Sequence, residues 1–283
     1  SSDLLLVLNS IIIFGQTTLK GNLSSAASIN YNNQIIGSGF FYLKDSNFYL
    51  VTAAHVLYKT DSLENILNDL RYSSISIMTY PENDYESKFS NFNINLTKTE
   101  IIKKHSTKDI CVVKMGEIIK QTNGLKVSFG DHIKTLKNGG NITSFNQNRI
   151  IQFKDLEQGS EVRILGYPKY LDLKKKNGET LFDFQFPIIS SGVISGISRK
   201  LGNIITSAPV YYGNSGGAVL SKLESFSQTK ESITFSTDYM LIGVVTNFIP
   251  FYLQKKDTVD RIDISNSGYS IVIPIDYAIE LMK

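Results

Sequence analysis

Short runs of β-branched and aromatic residues, each broken after a few positions by Gly, Asn, Ser or Asp, recur along nearly the whole 283-residue chain. Gln34 to Leu43, Phe48 to Ala53, Ile75 to Tyr80, Ile110 to Met115, Glu161 to Leu165, Gly192 to Ile197, Ala218 to Leu220, Met240 to Val245 and Tyr269 to Ile273 all have this form. Such runs are short for helices and rich in side chains that suit a pleated backbone, so they predict an antiparallel sandwich or barrel. Helical spacing after a polar start occurs only in Ser62 to Leu70, behind Asp61, and in Pro274 to Met282, where Asp276 offers a cap. The expected fold class is all-β with peripheral helices. The Asn-, Gly- and Lys-rich stretch 126–158 separates two sets of strands. This division gives an extension over 1–22, a first unit over 23–125, the connector, and a second unit over 159–283 that ends in the short helix.

Composition narrows the function classes. A hydrophobic fraction of 42% with 19% charged residues describes an ordinary globular chain, long enough to bury a large core. The net charge of +3 is spread over scattered lysines, with Lys174 to Lys176 the notable run, so no nucleic-acid partner is expected. A single cysteine, Cys111, has no internal disulfide partner, and stability must come from packing. Leu4 to Phe14 is the most apolar segment, yet Asn9 and Ser10 interrupt it and it falls short of the ~20 residues that a membrane span needs. Asp3 stands where a secretory leader would carry a basic residue, which favours a terminal element docked on the body. No Cys/His cluster has zinc spacing and no Gly-rich loop suits a phosphate, so neither a metal nor another cofactor is expected.

The sharpest local signal is Tyr212-Gly-Asn-Ser-Gly-Gly-Ala218. Glycines on both sides of Ser215 let the backbone turn tightly, expose the hydroxyl, and aim the N–H groups of Gly213 and Ser215 at one point. The same residues also suit a plain surface turn, with Asn214 at its centre. A serine becomes nucleophilic only beside a histidine that a carboxylate orients, and the chain has three histidines. His55 follows an apolar strand that ends in Ala53-Ala54, and Asp109 opens the strand Ile110 to Met115. His105 and His132 lie in polar stretches and are expected at the surface. The order His55, Asp109, Ser215 is that of the chymotrypsin clan, and differs from that of subtilisins and α/β-hydrolases.

The sequence resembles the bacterial-type trypsin-like peptidases, in particular the protease domain of the high-temperature-requirement (Deg) family. The resemblance runs from about Gly37 to Ala278. Its motifs are Gly37-Ser-Gly-Phe-Phe41, Asp109-Ile-Cys-Val-Val113, Val162-Arg-Ile-Leu-Gly-Tyr-Pro168, Ser191-Gly-Val-Ile-Ser195 with Arg199, the serine turn, Leu241-Ile-Gly-Val-Val-Thr246 and Gly268-Tyr-Ser-Ile-Val-Ile-Pro274. It implies two six-stranded antiparallel barrels with the triad between them, an oxyanion hole at Gly213, Asn214 and Ser215, and a polypeptide substrate. It also implies that Thr246, Asn247 and Phe248 pair with substrate backbone as an added strand. Pro209, Val210, Val245 and Gly268 would belong to the pocket for the residue before the scissile bond, P1. Pro209 replaces the buried Asp of a trypsin-like pocket and Val245 the histidine of glutamyl-specific relatives, so an uncharged, small to medium apolar P1 is expected.

Two features depart from the family. The chain ends at Lys283, soon after the last helix, so delivery of substrate by a PDZ domain is not expected. Asn214 stands where animal zymogens place the Asp that receives a new N-terminus, so activation by that cleavage is not expected either. Segments 62–95, 170–186, 222–238 and 250–267 read as loop insertions able to carry a regulatory partner. The competing readings are a latent protease opened by such a partner and a catalytically silent protein-binding module on the same fold.

Overall fold

The computed structural model describes residues 22–79, 89–121, 124–137, 142–169, 186–228, 233–254 and 262–283. The N-terminal half holds β1 (Ala26–Tyr31), β2 (Gln34–Lys44), β3 (Asn47–Thr52), β4 (Tyr58–Thr60), β5 (Ile66–Leu70), β6 (Ser74–Thr79) and β7 (Ser90–Asn95). It continues with β8 (Ile102–Lys104), β9 (Cys111–Gln121), β10 (Gly124–Phe129), β11 (Ile133–Lys137) and β12 (Phe145–Asn146). A one-turn helix, α1 (Ala54–Leu57), joins β3 to β4. The C-terminal half holds β13 (Glu161–Gly166), β14 (Ile188–Ser198), β15 (Asn203–Thr206), β16 (Ala218–Gln228), β17 (Ile233–Gln254), β18 (Ile262–Pro274) and α2 (Ile275–Leu281). The fold is all-β and chymotrypsin-like, with a short C-terminal helix. Among the described residues, no helix is long and apolar enough to cross a membrane.

Strands β13, β14, β15, β18, β17 and β16 form a closed six-stranded barrel. The first half is a ten-stranded sheet that follows the path β10-β9-β3-β2-β1-β6-β7-β11, with β8 and β12 off the path. Its two end strands are consecutive in sequence and only Gly130, Asp131 and His132 separate them, so the sheet curls back towards itself.

Side chains alternate across a strand, so a strand with a core on each face reads as a continuous apolar run. Strands β2, β3 and β9 are of this kind. Phe41, Phe48, Leu50, Cys111, Val113 and Met115 enter the core inside the curled sheet. Their neighbours Phe40, Tyr42, Tyr49, Val51 and Val112 enter a second core, shared with Leu165, Ala218, Leu220, Val244, Ile273 and Ala278 of the other half. Ile164, Ile194, Ile204, Val219, Ile242 and Val272 fill the closed barrel. The shared core fixes one half against the other, and with them the two walls of the cleft.

Several sequence expectations change. The helix expected over Ser62 to Leu70 is a hairpin of β4 and β5. Asp61 is a turn residue there: its Oδ1 accepts the N–H of Leu63 at 2.9 Å and of Asn65 at 2.8 Å, and Glu64 takes φ 62°. A local carboxylate bond of this kind competes with helix formation. At the terminal helix Pro274 is the N-cap, and Asp276 instead accepts the N–H of Phe153. The stretch 126–158 is not a plain connector, because β11 pairs with β7 and β12 with β2; the polar composition of β11 suits a largely exposed edge strand. Of the expected insertions, 62–95 carries β5, β6 and β7, while the described parts of 222–238 and 250–267 extend the paired strands β16–β17 and β17–β18. Residues 1–21 and 170–185 lie outside the described residues.

Candidate active site

α1 starts where β3 runs out of ladder partners, and it lifts His55 into the cleft while Ala54, Val56 and Leu57 stay buried. Asp109 precedes β9, next to Cys111, which pairs with Thr52 in β3. The carboxylate grips the histidine residue twice. Its Oδ2 lies 2.6 Å from His55 Nδ1, and its Oδ1 accepts the His55 backbone N–H at 2.9 Å. With Nδ1 so engaged, Nε2 is the ring atom left to face the cleft. Below the pair, burial pushes the Cys111 thiol well up, and the Asp109 charge adds to this.

Ser215 sits on a turn between Val210 and β16 that glycines make possible. Gly213 has φ +95° and Gly216 φ +92°, conformations that L side chains rarely adopt, and a Cβ on Gly216 would lie 2.0 Å from the Ser38 carbonyl oxygen. Among the described residues, the backbone N–H groups of Gly213 and Ser215 have no hydrogen-bond partner. The Asn214 N–H donates to the Tyr211 carbonyl at 3.0 Å and its side chain is buried, so it is not a free oxyanion donor as expected. Both residues are half-buried and line the cleft, where two unpaired donors beside a serine hydroxyl suit a ligand oxygen. The hydroxyl itself donates to the Thr246 carbonyl at 2.9 Å.

The turn is locked by a residue that sequence reasoning gave no role. Ser38, fully buried on β2, donates its hydroxyl to the Gly213 carbonyl at 2.7 Å and accepts the Tyr167 N–H at 2.8 Å. Its own N–H donates to the Ser215 carbonyl at 2.8 Å, and its carbonyl accepts Thr52 Oγ1 at 2.6 Å. The sequence signal was the small residue between two glycines in Gly37-Ser-Gly39.

A cleft of about 620 Å³ is lined by His55, Asp109, Gly213 and Ser215, by the expected Val210, Val245, Thr246, Asn247 and Phe248, and also by Ile35, Arg71 and Tyr212. Pro209 and Gly268 do not line it. Burial alternates from Ile204 to Val210, so Val210 turns inward and Pro209 away. Asn266, also missed, fixes this wall by donating to the Val210 carbonyl at 2.6 Å and accepting the Gly268 N–H at 2.9 Å. The Tyr212 and Phe248 rings meet edge to face, with centroids 5.9 Å apart. β16 pairs with β17 only up to Val244, so Thr246 to Phe248 run on past the end of that partner.

His105 and His132 are not the surface residues expected. The side chain of His132 is 6% exposed, with Nε2 2.8 Å from the Lys114 carbonyl, and it fills the corner where the curled sheet turns back. His105 is packed on α2, its ring centroid 5.0 Å from that of Tyr277. No group of acidic, His or Cys side chains among the described residues could hold a metal ion.

A closed barrel beside a curled sheet, with a histidine–carboxylate pair on one and a glycine-flanked serine on the other, defines a protein of the chymotrypsin-like class. A family model for the trypsin-like peptidase domain matches residues 37–225, and the chain belongs to that family. Among solved structures, an HtrA-type protease, AlgW in a serine-to-alanine form with a tripeptide, matches over 92% of this chain at 15% identity and a TM-score of 0.45. The chain spans 59% of the length of that protein. No curated protein matches the chain.

Proposed function

We propose that the chain is a serine endopeptidase in which His55, Asp109 and Ser215 act as a triad. The observation that carries this reading is the two-point grip of Asp109 on His55, set across the cleft from a serine flanked by two unpaired N–H donors. In the proposed reaction Ser215 Oγ attacks the scissile carbonyl and His55 Nε2 takes its proton. The Gly213 and Ser215 N–H groups hold the oxyanion, and His55 returns the proton to the leaving amine. Asp109 keeps the proton on Nδ1 and stabilises the imidazolium. Water then resolves the acyl-enzyme by the same steps.

The Ser215 hydroxyl must leave the Thr246 carbonyl to reach His55. A substrate strand that adds to Thr246–Phe248 brings its own backbone N–H to that oxygen and releases the hydroxyl towards Nε2. The same bond favours a second reading, a latent protease whose serine turns only when a partner or substrate occupies the cleft. For P1 the apolar Val210 and Val245, with the Tyr212–Phe248 ring pair beside them, support an uncharged, small to medium residue.

Labelling with a fluorophosphonate tests the assignment. An active enzyme reacts at Ser215, a latent one reacts only in the presence of its trigger, and a silent binding module does not react. A positional-scanning peptide library tests the pocket, and a dominant preference for Arg, Lys, Asp or Glu at P1 would overturn it.

A further inference from the structure

We infer that His105, which has no part in the proposed proton transfer, is a positioning residue that sets the Asp109 carboxylate. The inference rests on the triad reading above. Asp109 lies in a tight turn between β8 and β9, in which the His105 N–H donates to the Ile110 carbonyl at 3.0 Å and the Ile110 N–H to the Lys108 carbonyl at 2.8 Å. The His105 ring closes this turn from inside. Nδ1 accepts the N–H of Thr107 at 3.2 Å and of Lys108 at 3.1 Å, as an Asn or Asp side chain does in an Asx turn. Nδ1 must therefore carry its lone pair inwards, so the ring proton resides on Nε2, which lies 3.8 Å from Glu280 Oε2 on α2.

Four further contacts tie the turn to the other half. His105 meets the Tyr277 ring edge to face, and Lys108 Nζ lies 5.2 Å from the centre of that ring. Lys108 Nζ also donates to the Leu201 carbonyl, just before β15, and, at 3.2 Å, to Oδ1 of Asn203, the first residue of β15. The turn that presents the carboxylate is thus anchored on α2 and on the closed barrel. The 2.6 Å bond from Asp109 to His55 depends on where the turn ends, and a shift of ~1 Å in a catalytic group can cost ~10²-fold in rate.

The test compares His105→Leu, which keeps an apolar contact with Tyr277 but removes the acceptor, with His105→Asn, whose Oδ1 replaces Nδ1. His105→Leu is expected to lower kcat about 10²-fold with KM unchanged and thermal stability nearly retained. The low-field proton resonance of the His55–Asp109 bond should be lost in this variant. His105→Asn should restore both the rate and the resonance. The inference fails if His105→Leu keeps the resonance, if His105→Asn is as impaired as His105→Leu, or if KM rises while kcat holds. The resonance does not require turnover, so it is informative even if Ser215 proves unreactive in the wild type. That last result would defeat the peptidase reading, whereas normal labelling of both wild type and His105→Leu would defeat only the role of His105.

Discussion

The second sheet closes on itself through six strands, whereas the first runs as an open path whose ends meet only at the Gly130–His132 corner. Closure gives every barrel strand a neighbour on each side, with Thr246–Phe248 left as a local edge where β17 outruns β16, and the barrel interior is aliphatic: Ile164, Ile194, Ile204, Val219, Ile242 and Val272. The curled sheet must fill its corner with His132, and its core includes larger rings, Phe41, Phe48 and Tyr58. The proposed chemistry divides along the same line. The rigid barrel carries the serine turn and the Thr246–Phe248 edge, where backbone geometry matters most. The curled sheet carries His55 and Asp109, whose side chains are set by hydrogen bonds.

That division is most sharply tested by removing one functional group from each half. Ser215→Ala should abolish fluorophosphonate labelling and peptide hydrolysis, and Asp109→Asn should lower turnover by roughly 10⁴-fold, the size found elsewhere in the clan when the imidazole tautomer is wrong. Thermal unfolding should barely move for Ser215→Ala. Unchanged hydrolysis in the purified Ser215→Ala variant would end the proposed mechanism.

The joint between the halves comes next. Ser38→Ala removes the hydroxyl that bonds both the Gly213 carbonyl and the Tyr167 N–H, leaving two backbone groups poorly satisfied. A loss of about 1–3 kcal/mol in stability is expected, with a fall in kcat on the order of 10²-fold as the oxyanion donors shift. Urea unfolding and steady-state kinetics on the one variant would check both. A Ser38→Ala enzyme with wild-type kcat would mean that the turn holds its shape without help from β2.

Closure itself predicts a difference in local opening. Amides of β13, β16 and β17, up to Val244 in the last, should exchange more slowly than those of β7 and β11, which lie at the open end of the path. His132→Ala should widen that gap by loosening the corner, while leaving exchange in the closed barrel unaltered. Equal acceleration in both sheets would show that they open as one unit and that the corner has no special role.

How far the sequence foretold this layout depended on whether a signal was local. The runs Phe40 to Leu43, Phe48 to Val51 and Ile110 to Val113 read plainly as strands, because two cores make them apolar on both faces. The curled sheet's other members are half polar, and Ser90 to Asn95 and Ile133 to Lys137 gave no such signal. Asp61 was ambiguous for a physical reason, since one carboxylate can cap a helix or close a turn. Glycine spacing pointed to Ser215 and the family's strand-end pattern to His55 and Asp109. Ser38, Asn266 and His105 stayed hidden because their partners are backbone groups, and a sequence does not mark which carbonyl a side chain will reach.

The smallest expected effect concerns Cys111 and separates the halves by pH. Its thiol is fully buried under the Ala53 carbonyl, 3.8 Å away, and burial together with the Asp109 charge holds its pKa well above the usual thiol range. The closed-barrel side has its own raised group, Tyr167, whose hydroxyl is buried with no partner among the described residues. An unfolded thiol ionises near pH ~8.5 and an unfolded tyrosine near pH ~10. A folded group that keeps its proton while the unfolded chain loses one makes stability fall as pH rises above the unfolded value. The contribution of Cys111 is therefore intact below pH ~8.5 and declines above it, by at most about 1.4 kcal/mol per pH unit. Tyrosines such as Tyr167 and Tyr58, the latter pushed up to about 12 by burial, join only beyond pH ~10. Between pH ~8.5 and ~10 the wild type should lose stability faster than Cys111→Ala, and iodoacetamide should not modify the native thiol at pH 8.5. Parallel stability curves for the two proteins across that window, or rapid alkylation of the folded chain, would show that the curled sheet opens around Cys111 far more readily than its burial implies.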